Sequence, residues 1–518
     1  MIRSIFSVGG WTLLSRITGF VRDIVMAAVL GAGPIADAFY IAFRLPNHFR
    51  SIFAEGAFNT AFIPAYARVK TQEGDGPARG FANGMLTAVV LVQLVLLAFA
   101  LTATEPLVRL LAPGLVNDPE RFALTVDFTR ITFPYLGLIA VVTLVGGVLN
   151  ANDRFWAAAA ASILLNLAMV GTLSAVGYFP NAGAAASWGV LISGFLQVAL
   201  LVFDAQSHGL RLRFGRPRLD PATKRFLRAL GPAILGAAGV QLAIFADTII
   251  ASFLPQGAVA ALFYADRINQ LPIGVIGIAA GIVLLPELSR RIAADDLDGA
   301  RNAQSRAIEL TVLLALPFLA ASLVIPELMM RALFMRGAFT PEAAAAAGAT
   351  LAAYGVGLIP FVVMRAFMSP FYARGDTRTP VIATLAAAVI NIILKILLMD
   401  EFAQVGLAFA TSVGGWISVL LLAYLARRRG YECGDRQLLR ILPRLVLIGL
   451  ALAGTLYASQ LFSARLFANL ASWHDELRLA FCVAAAGLVY GAMVMVLIGP
   501  RYLRALVRGR APQAQGES

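Results

Sequence analysis

The chain has 518 residues, of which 59% are hydrophobic and only 14% are charged, and its mean hydropathy is +0.79. Soluble domains average about 25% charged residues, so this composition excludes a soluble globular protein. The apolar runs are continuous rather than alternating, which indicates membrane-spanning α-helices and not a closed β-barrel. The net charge of +13 collects in particular loops, as expected of a membrane protein, and does not indicate nucleic-acid binding.

The apolar runs predict fourteen transmembrane helices, because a helix needs about 20 residues to cross a bilayer. In chain order the predicted helices cover 6–31, 36–69, 80–104, 121–150, 155–178, 184–207, 222–254, 257–289, 302–326, 341–372, 379–399, 403–427, 437–462 and 476–499. Several exceed that length, so we expect them to tilt or to extend beyond the lipid. The first run is too long for a cleavable signal peptide and lacks a cleavage site, so we expect it to be retained.

Lysine and arginine residues are concentrated in every second loop. They gather near 68–79, 208–228, 290–301 and 427–444 and in the tail after 500. The opposite loops, such as "LGAGPIAD" and "LPQGA", contain none. By the positive-inside rule this pattern predicts that both termini are cytoplasmic.

Weak repeats recur along the chain at a nearly constant spacing. "AFY" ending at Tyr40 recurs as "LFY" ending at Tyr264, and "EPLVRLLAPG" with Arg109 recurs as "PELMMRALFMRG" with Arg331. This predicts two six-helix halves around a central cavity, an architecture that indicates alternating access. The expected divisions are an N-terminal half at 1–207, a basic cytoplasmic linker at 208–221, a C-terminal half at 222–428, a two-helix extension at 429–500 and a cytoplasmic tail at 501–518.

Charged residues lie inside several predicted helices, where each costs on the order of 2.5–3.5 kcal/mol at the helix centre. They are Arg16, Arg22 and Asp23 in helix 1, Asp37, Arg44, Arg50 and Glu55 in helix 2, and Asp266 and Arg267 in helix 8. Arginines outnumber acids, and a guanidinium fork suits phosphate oxygens, so the pattern predicts a wet cationic cavity for an anionic substrate. The alternatives are structural pairing of Arg22 with Asp23 and of Arg267 with Asp266, or snorkelling of Arg44 and Asp37 to lipid headgroups.

Four segments resemble the MurJ/MviN family of lipid II flippases, within the superfamily of multidrug and oligosaccharidyl-lipid exporters. They are "SRITGFVRD", "GAGPIADAFYIAFRLPNHFRSIFAEGAFNTAFIP", "FYADRINQLPIGVIGIA" and "FYARGDTRTP". The resemblance implies a transporter, not an enzyme, in the bacterial cytoplasmic (inner) membrane. Its substrate would be lipid II, the undecaprenyl-pyrophosphate-linked peptidoglycan precursor, carried to the outer leaflet. The implied partners are lipid II, membrane lipids and, through a functional link, peptidoglycan synthases, and we expect a monomer.

The resemblance also implies roles for individual residues. The implied substrate-binding residues are Arg16, Arg22, Asp23, Arg50 and Arg267, and the gating or supporting residues are Asp37, Arg44 and Glu55. The last two helices would hold the lipid tail in a groove. No cofactor is required, although some members of the family bind sodium, at positions that match Asp247 and Asp376 here. Other ligand positions are Arg374, Ala388 and Ile392, which disfavours a sodium site, and Lys395 adds an intramembrane cation of undetermined role.

Three other functions compete with this interpretation. A cation-coupled exporter of another substrate in the same superfamily is the main alternative, but such proteins usually stop at twelve helices and lack this set of arginines. A glycosyltransferase that polymerises lipid II would need a catalytic acid on a large external loop, and the longest external segments, 105–121 and 327–341, are short. A scaffold would not need an interior cationic cavity.

Overall fold

The computed structural model describes residues 2–50, 57–217, 219–431, 434–470, 473–500 and 502. This part of the chain is α-helical and contains no strand, which confirms the predicted all-α class. The helices are α1 (Ile2–Leu30), α2 (Pro34–Arg50), α3 (Ala57–Glu73), α4 (Asp75–Thr102), α5 (Thr104–Leu111), α6 (Pro119–Thr132), α7 (Pro134–Asn150), α8 (Trp156–Ser174), α9 (Ala182–Ser207), α10 (Pro221–Ala251), α11 (Ala258–Pro272), α12 (Ile278–Ala293), α13 (Leu297–Val324), α14 (Pro326–Phe334), α15 (Pro341–Gly355), α16 (Leu358–Tyr372), α17 (Arg378–Arg428), α18 (Arg436–Leu466) and α19 (His474–Leu497).

Ten helical segments of the described chain are long and apolar enough to cross a membrane. One of them, Pro119–Asn150, combines α6 and α7, which meet at Pro134 because proline has no backbone N–H to continue the helical ladder. Another, α17, contains a non-helical residue, Ala403, with φ of 45°. That break coincides with the boundary between the predicted helices 379–399 and 403–427. The multi-pass architecture is therefore confirmed, and the count of fourteen spans stays a prediction.

Asparagine and aspartate side chains mark where several helices begin. Asn181 accepts a hydrogen bond from the N–H of Ala184 at 2.8 Å at the start of α9. Asp220, in the basic loop, accepts one from the N–H of Thr223 at 2.7 Å at the start of α10. Such N-caps satisfy backbone donors that the first turn leaves open, and each contributes about 1 kcal/mol. These short polar residues therefore end the loops and fix where the apolar helices start.

The chain divides into two compact units, and unit 1 comprises residues 1–260 and 336–340. An aromatic cluster forms part of its core, with Phe58 and Phe62 stacked at 5.2 Å between ring centroids and Phe62 and Phe81 at 5.8 Å. Phe226 of α10 packs edge-on against Phe58 at 5.5 Å. Helix α10 is therefore packed on α3 through aromatic rings within unit 1.

Unit 2 comprises residues 261–335 and 341–518. In it the last two helices pack on α13 through a core that includes Leu316, Ile448 and Cys482. Ion pairs stabilise both ends of this packing, and the first of them centres on a buried arginine. On α13, Arg306 is 4% exposed and pairs with Glu309 at 2.7 Å and with Asp435, the N-cap of α18, at 2.8 Å.

The second ion pair lies at the start of α19. There Arg331 of α14 donates from Nε to Asp475 at 3.0 Å. The hydrogen bond from Arg331 to Asp475 raises the pKa of Arg331 despite its partial burial, so Arg331 stays charged near neutral pH. The C-terminal helix pair is thus tied to α13 and α14 at two separate points.

Candidate functional site

The charges of α1 form a buried cluster in unit 1. Arg22 is 7% exposed and Asp23 is 3% exposed. Arg22 donates from Nη2 and Nε to Oδ1 of Asp23 at 2.7 and 3.1 Å. It also donates from Nη1 to Oδ1 of Asn166 at 3.1 Å. The pairing of Arg22 with Asp23, considered in the sequence analysis as a structural alternative, is therefore present in the structure.

Asn166 fixes this cluster from a different helix. It lies on α8, is 4% exposed, and donates from Nδ2 to the carbonyl of Ser15 at 3.1 Å and to Oγ1 of Thr18 at 3.0 Å. Its two donated bonds hold α8 against α1, while its oxygen orients Arg22. Sequence reasoning missed Asn166, because a lone amide within the apolar run "ILLNLAMV" gives no indication of its partner.

Asp37 is the centre of a second buried cluster in unit 1, and its exposed fraction is 0%. Its Oδ2 accepts a hydrogen bond from the N–H of Gly257 at 2.7 Å, and its Oδ1 accepts one from the N–H of Ala260 at 2.8 Å. The carboxylate therefore caps the start of α11, where the helix dipole favours a negative charge. Arg121 of α6 adds a bond from Nη1 to Oδ2 of Asp37 at 3.4 Å and donates to the carbonyl of Leu254 at 3.2 Å. Asp37 is thus held by the protein itself rather than reaching toward headgroups.

Asp118 extends this second cluster toward solvent. It accepts a hydrogen bond from Arg121 Nε at 2.7 Å and one from the side-chain amide of Gln256 at 3.0 Å. The hydrogen bond from Gln256, together with the bonds and charge of Arg121, holds the pKa of Asp118 below its ordinary value. Gly257 has φ of +84°, and a Cβ there would lie 2.8 Å from the carbonyl oxygen of Ala32. Glycine is therefore required where this loop meets the segment before α2.

The other predicted cavity residues have less enclosed surroundings. Arg16 is exposed on α1 in unit 1, and Arg44 is half-buried on α2. In unit 2, Arg267 is half-buried, and its guanidinium carbon lies 4.7 Å from the ring centroid of Phe263, a cation–π contact. Asp266 accepts a hydrogen bond from Gln270 at 3.4 Å.

Two of the predicted site residues lie partly or wholly outside the described part of the chain. Arg50 ends α2, but its side chain lies outside the described part of the chain, as does Glu55 altogether. The roles predicted for Arg50 and Glu55 therefore stay predictions.

The two residues matched to a sodium site lie in different units. Asp247 is half-buried on α10 in unit 1. Asp376 of unit 2 accepts a hydrogen bond from the N–H of Thr379 at 3.0 Å and is ion-paired with Arg429. Burial raises the pKa of Asp376, but the Thr379 hydrogen bonds and the charge of Arg429 outweigh it, so the pKa lies below its ordinary value.

The described residues do not form a cluster of the kind that binds a metal ion. Among the described residues no group of three or more His, Cys, Asp or Glu side chains is placed to hold a metal ion. Lys395 is 3% exposed on α17. The sodium site therefore stays a prediction.

The architecture and these clusters together define a class of protein. The chain is an all-α, multi-pass membrane protein whose helices enclose charged side chains. Charges buried among spanning helices are costly, and in membrane proteins they mark pathways for polar substrates. The class is therefore that of a polytopic membrane transporter.

The family follows from comparison with known proteins. The family model described as "Lipid II flippase MurJ" matches residues 26–473. A "Probable lipid II flippase MurJ" of Rhizobium meliloti is 41% identical over 506 residues, which cover 96% of this chain and 94% of the relative. A "Lipid II flippase MurJ" of Burkholderia cenocepacia is 33% identical over 469 residues, covering 88% of this chain and 90% of the relative. The chain belongs to the lipid II flippase MurJ family, which confirms the resemblance.

Solved structures agree on the fold. A structure titled "Lipid II flippase MurJ, inward closed conformation" has a TM-score of 0.79 at 22% identity and covers 97% of this chain and 99% of that chain. An inward-facing multidrug resistance MATE family transporter of the MOP superfamily has a TM-score of 0.66 at 16% identity and covers 80% of this chain and 94% of that one. The fold is therefore the one expected from the superfamily resemblance.

Proposed function

We propose that this protein flips lipid II from the inner to the outer leaflet of the bacterial cytoplasmic membrane by alternating access. The observation that carries the proposal is membership of the lipid II flippase family along residues 26–473. The substrate has a doubly charged pyrophosphate and a polyprenyl tail. A carrier for it needs cationic side chains for the headgroup and can leave the tail in lipid. No bond is made or broken, so no nucleophile or general base is required.

Arg22 is suited to hold the pyrophosphate in a fixed orientation. A guanidinium has five N–H donors, and three of those of Arg22 are used by Asp23 and Asn166. Two donors remain for phosphate oxygens, and the rigid fork lets them act together. In this proposal Arg16 and Arg267 supply further charge, while Asp23 orients Arg22. Arg50, Arg44 and Glu55 enter the proposal from the family resemblance.

The remaining parts of the proposal concern organisation and surroundings. Residues 1–207 and 222–428 form the two repeated halves around a central cavity, and the groove between α18 and α19 takes the lipid tail. The loop charges support cytoplasmic termini in the inner membrane. The protein acts as a monomer and requires no cofactor. Any sodium ion would bind near Asp247 and Asp376. Peptidoglycan synthases use the transported lipid II on the outer side.

Flipping in proteoliposomes tests the proposed function directly. Purified protein is reconstituted with fluorescent lipid II in both leaflets, and an impermeant reagent reports the fraction that reaches the outer leaflet. We expect protein-dependent movement of lipid II with no change in its mass. A phosphatidylcholine that carries the same fluorescent label should not move between the leaflets. Movement of both lipids at one rate would contradict a specific flippase, and a change in the mass of lipid II would indicate an enzyme.

A further inference from the structure

A polar cavity lies inside unit 1, among α2, α3, α7, α8 and α9. Its volume is about 260 Å³. One face of α7 lines its length, from Tyr135 through Ile139, Thr143 and Gly146 to Asn150. At 1.5 Å per residue this face extends roughly 22 Å along the helix axis. By the predicted topology, the end at Asn150 is the cytoplasmic one.

The chemistry of the lining is unusual for the interior of a membrane protein. Four carboxamide side chains contribute to it, from Asn47, Asn59, Asn150 and Gln197, together with the hydroxyl-bearing Ser162. No aspartate, glutamate, lysine or arginine is among the described residues that line it. The cavity is therefore rich in paired donors and acceptors but carries no net charge.

Several of these polar groups have no hydrogen-bond partner within the described protein. Gln197 is only 2% exposed and lines the cavity, and its side chain bonds to no described residue. Oδ1 of Asn59 is also buried without a partner. Buried polar groups are almost always satisfied, and leaving them unsatisfied is costly. A polar guest in the cavity would satisfy them.

We propose that this cavity is a subsite for one amino-sugar ring of the substrate headgroup, an inference that rests on the proposed function. Carboxamides both donate and accept, which suits the hydroxyl and acetamido groups of an N-acetylated hexosamine. A pyrophosphate or a peptide carboxylate would be desolvated here without a countercharge, which is far more costly than burying a neutral ring. Phe43 and Tyr135 add aromatic surface for the C–H faces of the ring. The cavity volume lies slightly below the roughly 300–1,000 Å³ typical of small-molecule pockets, so it suits one ring and not a disaccharide.

Binding measurements on the full-length protein in nanodiscs test the subsite. The two probes are lipid II and undecaprenyl pyrophosphate, which share the tail and the phosphates but differ in the sugars and peptide. Nanodiscs free of glycolipid are needed, because a maltoside detergent would offer a competing sugar. The variant Gln197→Leu removes the buried carboxamide while keeping its approximate volume. The control Gln304→Leu changes another glutamine that is 2% exposed, one in unit 2 that donates to the carbonyl of Ala366.

We expect wild-type protein to bind lipid II more tightly than undecaprenyl pyrophosphate. Gln197→Leu should weaken the binding of lipid II by about two- to tenfold, which is the effect of losing one net hydrogen bond. It should leave the affinity for undecaprenyl pyrophosphate unchanged. Gln304→Leu should leave the ratio of the two affinities unchanged. If Gln197→Leu misfolds, Asn150→Leu serves instead, because the side chain of Asn150 makes no hydrogen bond within the described protein.

The possible outcomes separate the subsite from the proposed function. Equal binding of the two probes by wild-type protein, or an unchanged ratio in both cavity variants, overturns the subsite and leaves lipid II flipping intact. An equal loss of affinity for both probes in the cavity variants also overturns the subsite. Such a loss would come from weaker binding of the shared phosphates or from a change in the fold. Wild-type protein that binds neither probe would contradict the proposed function, and the subsite with it.

Discussion

The substitution Asp37→Asn is expected to loosen the cluster that joins α2 to the loop before α11. Asp37 offers two carboxylate oxygens, which accept from the N–H groups of Gly257 and Ala260 at 2.7 and 2.8 Å. Asparagine offers only one oxygen, so one of these buried N–H groups loses its acceptor. That loss costs about 1–3 kcal/mol. Arg121 contributes less to the cost, because it keeps its bonds to Asp118 and to the carbonyl of Leu254.

This free energy sets the size of the expected effect. A change of 1–3 kcal/mol corresponds to about a 5- to 150-fold change in the equilibrium between closed and open forms of the loop. A cysteine buried in the closed form reacts in proportion to the open population when reclosing is fast. We therefore expect Asp37→Asn to speed labelling of such a cysteine by this factor.

Thiol labelling in membranes measures the effect. Cysteine is placed at Ala258, which is 3% exposed, in a background without Cys433 and Cys482, and an impermeant maleimide is added from outside. The matched control is Asp127→Asn, since the side chain of Asp127 is 66% exposed and pairs only loosely with Arg130 at 3.5 Å. It should leave the rate unchanged. An unchanged labelling rate in Asp37→Asn as well would refute the conclusion that this carboxylate holds the loop closed.

Four other predictions follow from the same structure. Arg16→Ala should abolish complementation of a flippase-depleted strain at normal protein level, because Arg16 is exposed and leaves no buried partner, whereas Arg22→Ala should also lower the protein level by removing the guanidinium that pairs with the buried Asp23. Growth of the depleted strain on Arg16→Ala present at normal protein level would contradict its role in substrate binding. Cysteine at Tyr178, which is 92% exposed, should react with an impermeant reagent from outside, and cysteine at Phe214, 73% exposed, only after permeabilisation; the reverse would overturn the topology. Arg306→Met should destabilise the protein by about 3–5 kcal/mol in denaturant titration, because it removes the cation that pairs with the buried Glu309 and the partly exposed Asp435. A loss of less than about 1 kcal/mol would contradict the conclusion that these ion pairs stabilise the packing. Flipping should follow an imposed membrane potential, worth about 2.3 kcal/mol per charge per 100 mV, and a dependence on the sodium gradient alone would refute this.

The fold was accessible from the sequence because it depends on local properties of the chain. Long apolar runs bounded by glycine, proline and short polar residues predict membrane helices, and Ala403 interrupts α17 where a boundary was expected. The all-α class follows from the same runs. One finer division was missed although the sequence signals it, because Pro134 splits the predicted helix 121–150 into α6 and α7.

The sequence does not predict which residues from distant helices pair within each cluster. Arg22 and Asp23 are adjacent in sequence, so their pairing could be named as an alternative. Asn166 is 144 residues from Arg22, and Arg121 is 84 residues from Asp37. Only the packing of α8 on α1 and of α6 on α2 brings these residues together. Gln197 likewise gives no sequence signal, since a single amide in an apolar helix is equally consistent with a satisfied core residue.

The buried charges in α1 make physical sense as a prepared site rather than as a free positive charge. An unpaired guanidinium among apolar helices would be too costly to retain, and Asp23 offsets that cost at 2.7 Å. A second acid in place of Asn166 would neutralise Arg22 further and weaken its attraction for phosphate. The neutral oxygen of Asn166 instead orients the guanidinium without cancelling its charge. Arg22 can therefore be stable in the empty carrier and still keep two N–H donors for the anionic headgroup, which reconciles the structural pairing with the proposed role in transport.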